Sequence, residues 1–347
     1  MRMDTKARGK IALLCAVVFL GIGVPAFSQD TPDLDSLTLA MDAFAGGMAR
    51  ALPFNASMGL NWSDAYIGKL FPSNPPHFGI GFAGGFTMMG LEPIERLLNE
   101  FDAELPDDLP FMGLPIPGMM AEIRLGGLFL PFDLGFKLGF LPAGVTALLG
   151  EALELDYFVV GGDFRYALVE AGRIVPAVSL GVGFTHLRGG IGVNVGTIPI
   201  DFPYTNPLTG ASETGTLTVH DPTMGLNWST NVLDFKVQVS RPLFIITPYI
   251  GLGASHGWSR VSYGAGMARL SVDAGGQTLD DIRQTFADVG IDILDDGFFS
   301  EVSVRGWSFR AFGGISLNLS VLRLDFTGMY NFRDGGFGTT VGFRFQL

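Results

Sequence analysis

The sequence predicts an all-β fold: an antiparallel transmembrane β-barrel of about 12–14 strands, with short amphipathic helices in the N-terminus and the loops. Three observations predict it. The 347-residue chain is strongly apolar, with 16% charged residues against roughly 25% in an ordinary soluble domain and a mean hydropathy of +0.36. Yet no stretch beyond a short leader offers 18 uninterrupted apolar residues of helical type, the length a spanning helix needs. Large apolar residues alternate with small or polar ones over long runs, and opposite charges recur two positions apart on the polar side of those runs. The 49 glycines, about 14% of the chain, are roughly twice the usual share. With 22 basic and 34 acidic residues the net charge is −12. The acidic balance argues against nucleic acid as a partner, and the hydrophobicity argues against disorder.

Taken in order, residues 1–28 read as a secretory signal peptide. Arg2, Lys6, Arg8 and Lys10 precede the apolar run 11–24, and Ala26-Phe27-Ser28 places small residues for cleavage before Gln29. Cys15 lies inside the run, so the cleaved chain has no cysteine and a charge of −15. Residues 29–49 form an N-terminal helical segment, with Thr31-Pro32-Asp33 as its start signal. Leu34, Leu37, Met41, Phe44 and Met48 follow at helical spacing. The barrel is assigned to residues 50–347. In 77–88 the even positions read Phe78, Ile80, Phe82, Gly84, Phe86 and Met88, large at all but one, and the odd ones after His77 are Gly, Ala or Thr. Successive strand side chains point to opposite faces, so one face is greasy and the other small. The same period runs through 52–62, 121–129, 134–140, 158–168, 174–186, 233–239, 244–258 and 322–332. With the C-terminal run, ten segments carry it clearly, and weaker ones raise the number to 14.

The polar faces hold Glu122/Arg124, Asp163/Arg165, Asp234/Lys236 and Arg323/Asp325 two apart, and Asp133/Lys137 and Glu301/Arg305 four apart. Each pair opposes its segment's apolar set. Arg or Lys facing lipid at mid-membrane costs roughly 2–4 kcal/mol, so these charges are expected in the lumen. Mixed signs at such spacing predict a narrow or partly filled lumen.

Between strands, Leu91, Ile94, Leu98, Phe101 and Leu105, and again Leu279, Ile282, Phe286, Val289 and Ile293, recur at helical spacing with acidic opposite faces. These helices and the N-terminal one serve either as lumen plug and lids or as covers of apolar surface at the rim. The segment 109–120, rich in Phe111, Met112, Ile116 and Met119, reads as an apolar loop that must be buried. It either lines a surface for a hydrophobic small-molecule ligand or folds back on the rim. The hexapeptide Met-Gly-Leu-Asn-Trp-Ser occurs at 58–63 and at 224–229. It records either a duplication or, as we favour, two strands meeting one membrane interface. Trp62, Trp228 and Trp258 are accordingly expected as interface aromatics.

No enzymatic chemistry is legible. His77, His186, His220 and His256 show no metal-ligand spacing, and no G-x-S-x-G elbow occurs. His186 and His256 fall in phase with apolar residues, on the lipid side. Neither metal nor cofactor is expected.

The C-terminal run is the most specific signal: Phe337, Val341, Phe343, Phe345 and Leu347 on one face, Gly338, Thr340, Gly342, Arg344 and Gln346 on the other. It resembles the last strand of bacterial outer-membrane β-barrel proteins, which ends in an apolar residue read by the assembly machinery. The resemblance implies localisation in the outer membrane, with membrane lipids and that machinery as partners. The helices, apolar loop, charge-paired lumen and Asn74-Pro75-Pro76 are similar to plugged transporters of the long-chain fatty-acid type, without a family fingerprint. The resemblance implies passive transport of small or hydrophobic solutes. A cation-preferring porin and a structural or surface barrel without transport are the alternatives.

Overall fold

The computed structural model describes residues 34–70, 76–99, 113–140, 153–172, 174–194, 198–205, 212–220, 223–266, 269–273 and 298–347. Two helices occur among them, α1 (Leu34–Ala56) and α2 (Glu92–Asn99). The strands are β1 (Phe78–Met89), β2 (Leu114–Gly126), β3 (Phe132–Phe140), β4 (Leu153–Val169), β5 (Ala177–Asn194), β6 (Ile198–Thr205) and β7 (Ser212–His220). They continue with β8 (Thr223–Ser240), β9 (Ile246–Gly266), β10 (Arg269–Asp273), β11 (Phe298–Leu319), β12 (Leu322–Asn331) and β13 (Phe337–Gln346). The signal peptide, the acidic helix at 279–293, Phe111 and Met112 lie outside the described residues.

Ten strands close an antiparallel barrel in the order β1-β13-β12-β11-β9-β8-β5-β4-β3-β2. The seam joins first to last, with Phe82 opposite Phe343 and Ile80 opposite Phe345. The barrel is therefore smaller than the 12–14 strands expected, because β6, β7 and β10 form a separate sheet. β6 pairs with β7 and β7 with β10, and Pro199 and Pro203 of β6 can give no N–H to a wall ladder. Short connections (127–131, 170–176, 241–245, 320–321) gather at one end of the barrel. The connections carrying α2, the small sheet and most of the remaining length gather at the other.

The exterior carries the large apolar set. Phe82, Leu252, Ile250, Phe309, Phe136 and Phe343 are each about half exposed or more. On β9 the outward face stays apolar or aromatic from Ile246 to Trp258 and turns to Arg260; on β11 it changes between Trp307 and Arg305. At ~3.3 Å per residue and a tilt of about 40°, this belt is roughly 30 Å high. That matches a bilayer's hydrocarbon core. Among the described residues no helix is long and apolar enough to cross a membrane.

The interior is filled by the chain's own N-terminal portion. Met41, Phe44, Ala45, Met48, Leu52 and Phe54 of α1 pack against wall residues that include Met120, Val159, Leu187, Trp228, Val261, Phe312 and Met329. Each large apolar side chain so enclosed contributes roughly 1.5–3 kcal/mol. Pro53 sits near the end of α1, where its ring lies over Gly257; a Cβ at Gly257 would come within 2.3 Å of that ring. Residues 51–65 are buried at every position, without alternation. The 52–62 segment is thus the end of α1 and a coil, and it is not a barrel strand: it is enclosed on all sides, whereas a wall strand has one free face. The apolar loop expected at 109–120 is β2 from Leu114 onward. Ile116 points inward at 6% exposure and Met119 outward at 43%.

Candidate functional site

The lumen is where the polar side chains converge, and the N-terminal segment descends through it. Near the long-loop end, Tyr263 Oη donates to Asp42 of α1 at 2.8 Å. One level down, Asn55 Nδ2 donates to Thr87 Oγ1 at 2.9 Å and to the Ile116 carbonyl at 3.0 Å. Lys137 then caps the C-terminal end of α1, its Nζ 2.7 Å from the Ala56 carbonyl and 2.6 Å from that of Met58. Gly59 and Leu60 both adopt left-handed backbone (φ 79° and 55°), which turns the chain across the barrel axis. For Leu60 this conformation is strained. The turn lets the Leu60 N–H and the Trp62 Nε1–H both donate to the Glu122 carboxylate.

Around this turn the wall supplies a closed set of ion pairs. Arg124 donates to Asp133 at 2.6 Å, to Asp163 at 2.8 and 3.0 Å, and to the Leu60 carbonyl at 3.2 Å. Arg165 grips Asp133 through two nitrogens at 2.9 and 2.8 Å and reaches the Asp64 carbonyl at 2.6 Å. Lys236 binds Asp163 at 2.7 Å and the Leu60 carbonyl at 2.9 Å. Arg310 pairs with Asp234, at 2.6 and 2.9 Å. The Trp62 ring lies between two guanidiniums, Arg344 at 4.5 Å and Arg124 at 5.6 Å from its centroid. Below it, Asp64 receives Arg323 at 2.8 Å and Arg344 at 3.1 Å, and Arg344 also holds Asp325 at 2.6 Å. Burial alone would raise the Asp64 carboxyl. Arg344 and Arg323 outweigh it and hold the group below the ordinary carboxylate range. The segment leaves at the short-turn end, where the Leu70 N–H donates to the Gly127 carbonyl at 2.7 Å.

All ten charges singled out from the sequence (Glu122, Arg124, Asp133, Lys137, Asp163, Arg165, Asp234, Lys236, Arg323, Asp325) point into the lumen. Arg124, Asp133 and Arg165 are 0% exposed, so they contact the inner segment and each other, not a water-filled channel. Glu301 and Arg305 do not join them. They are exposed on the odd-numbered, outward face of β11. Trp62 and Trp228 are not interface aromatics: both are buried, at 2% and 6% exposure. Trp62 is on the inner segment, and Trp228 shares the inward phase of Asp234 and Lys236 on β8. Trp258, 45% exposed, does face outward at the edge of the belt. His186 and His256 also face outward, His186 Nδ1 lying 2.9 Å from Asn231 Oδ1 and the His256 ring 4.5 Å from Trp258. Arg344 lies on the polar face of the last strand, as its phase predicts. Two partners are not singled out from the sequence: Arg310, identifiable by phase with its neighbours, and Asp64, on a coil whose sequence carries no period.

Two adjoining cavities of about 340 and 300 Å³ open at the long-loop end and share Arg50, Glu92 and Pro93. Phe54, Met88 and Met89 line one, and Val302 and Val304 the other.

No family model matches the chain, and no curated protein matches it. Among solved structures, the outer-membrane protease OmpT of Escherichia coli is 8% identical over 78% of this chain and 97% of that one, with a TM-score of 0.38. The translocator domain of the autotransporter NalP from Neisseria meningitidis is 9% identical over 89% and 97%, with a TM-score of 0.27. The CymD monoaromatic hydrocarbon channel is 9% identical over 78% and 87%, with a TM-score of 0.23.

Proposed function

We propose that the chain is an outer-membrane barrel that is closed at rest by its own N-terminal segment and passes small hydrophobic solutes when that segment shifts. The observation that carries this reading is the filling of the lumen by residues 34–70, pinned by Glu122, Arg124, Lys137, Arg165, Lys236 and Arg344. The apolar belt and the C-terminal strand support the membrane assignment. The choice of solute follows from what α1 covers: a wall of Met120, Val159, Leu187, Leu226, Val232, Val261 and Phe312, suited to apolar molecules.

The test is single-channel recording of the refolded protein in planar bilayers. The intact chain is expected to be silent and a variant lacking residues 34–67 to conduct, with folding of both verified by heat-shifted gel mobility. Large constitutive conductance of the intact chain would refute the closed state. If the deletion variant is also silent and releases no apolar dye from vesicles, the barrel is structural and the transport reading fails.

A further inference from the structure

The exterior of the barrel is uniform in chemistry except on one flank. There the four long strands β5, β8, β9 and β11 continue past the belt, and their register places outward residues in level rows. The lowest row is Phe184, Leu233, His256 and Trp307; the next is His186, Asn231, Trp258 and Arg305; the third is Arg188, Ser229, Arg260 and Ser303. The surface therefore passes within two rows from apolar to aromatic and amide, then to guanidinium and hydroxyl. Arg188, Arg260, Arg305, Asn231 and Ser303 are all exposed. Arg188 and Arg260 stand two strands apart, about 10 Å between backbones, with Ser229 between them. Arg188 is steadied over the Phe158 ring at 5.1 Å. The acids in reach, Asp156 and Glu301, belong to the row farther from the belt, and Glu301 contacts Arg260 at 3.2 Å. Cations thus lie against the belt edge and anions beyond them, in a chain whose overall charge is −12.

Resting on the membrane reading above, we propose that this flank binds the phosphorylated headgroup of a lipid in the leaflet on the long-loop side. Arg188, Arg260 and Arg305 hold the phosphate, Ser229 and Asn231 donate to it, and Trp258 and Trp307 seat the first carbons of the tails. Guanidinium groups bind phosphate oxygens through paired N–H donors, and aromatic rings with one polar edge settle at headgroup depth. Continuity with the belt makes a membrane lipid the occupant: the phosphate site is open on the side from which lipid tails approach.

Native mass spectrometry of the refolded chain tests this, titrated with diphosphorylated lipid A or with diacylglycerol, whose headgroup carries no phosphate. Wild type is expected to retain the phosphorylated lipid at least tenfold more tightly. The R188A/R260A/R305A variant is expected to bind both alike, while inserting into phosphatidylcholine vesicles as wild type does. Unchanged preference in the triple variant overturns the site, as does complete displacement by equimolar inorganic phosphate, which marks a free-anion site. Should the triple variant not fold, R260A alone is expected to lose several-fold, and no loss overturns the site. A wild-type chain that enters no vesicle refutes the membrane reading, and this inference with it.

Discussion

Replacing Arg124 with methionine tests whether the lumen charges hold the inner segment in place. Arg124 is fully buried, joins Asp133 and Asp163, bonds the Leu60 carbonyl and lies over Trp62. Methionine fills much of the space but supplies no donor. Removing one partner of a buried ion pair costs about 3–5 kcal/mol. Asp133 keeps Arg165 and Asp163 keeps Lys236, so the lower figure applies. If the cost falls on the docked segment and not on the wall, 3 kcal/mol raises its opening constant by about two orders of magnitude. Amide hydrogen exchange read by mass spectrometry over residues 58–67 measures this directly. The expected result is exchange about 100-fold faster there, with the amides of β9 and β11 unchanged. Arg124→Lys is expected to recover little, since one ammonium cannot serve two carboxylates and a carbonyl in fixed directions. Equal exchange in wild type and Arg124→Met would show that apolar packing of α1 alone retains the segment.

Other expectations can be checked alongside it. Gly257→Leu places side-chain atoms where Pro53 lies; exchange should quicken across α1 while the barrel keeps its heat-shifted mobility. Leu252→Arg sets a cation on the outer belt and is expected to lower stability in vesicles by about 2–4 kcal/mol. Urea equilibrium unfolding measures it, and no change would show that this face does not meet lipid. The carboxyl of Asp64 lies below its ordinary range when folded. Its contribution is therefore complete above about pH 4, the usual carboxylate value, and is lost as pH falls through the lower folded value. Protection of residues 60–67 should be flat from pH 8 to 5 and fall in stronger acid, and Asp64→Asn should remove that part of the pH dependence.

Much of the wall was legible because a barrel strand has only two environments, and parity sorts residues between them. Ile80 and Phe82 went out and Arg124 and Asp163 went in on that rule alone. Across β8 the same rule places Trp228 inward with Asp234 and Lys236, against the interface position that the repeated hexapeptide suggests. Its two copies adopt unrelated conformations, a coil at Leu60 with φ of 55° and a strand at Leu226, because the surroundings decide between them. The ring size was not legible, since β6 and β7 share the strand period of the wall but pair with each other and with β10. The docking of 57–70 had no local signal. It is specified by carbonyls, Asp64 and one indole meeting side chains contributed by strands far apart in sequence.

The direction of the inner segment bears on how the molecule is put together. α1 begins at the long-loop end, the chain leaves at the short-turn end, and only then does β1 start, pairing with β13 at the seam. A closed ring cannot admit this segment sideways. It is either enclosed while the sheet is still an open ribbon or threaded lengthwise through a lumen crowded with charged side chains. Enclosure first makes the segment a template: the β1–β13 seam zips last, around a strut already in contact with Arg124, Lys236 and Arg344. Closing order, and not only final contacts, is then encoded by placing this stretch ahead of the first strand.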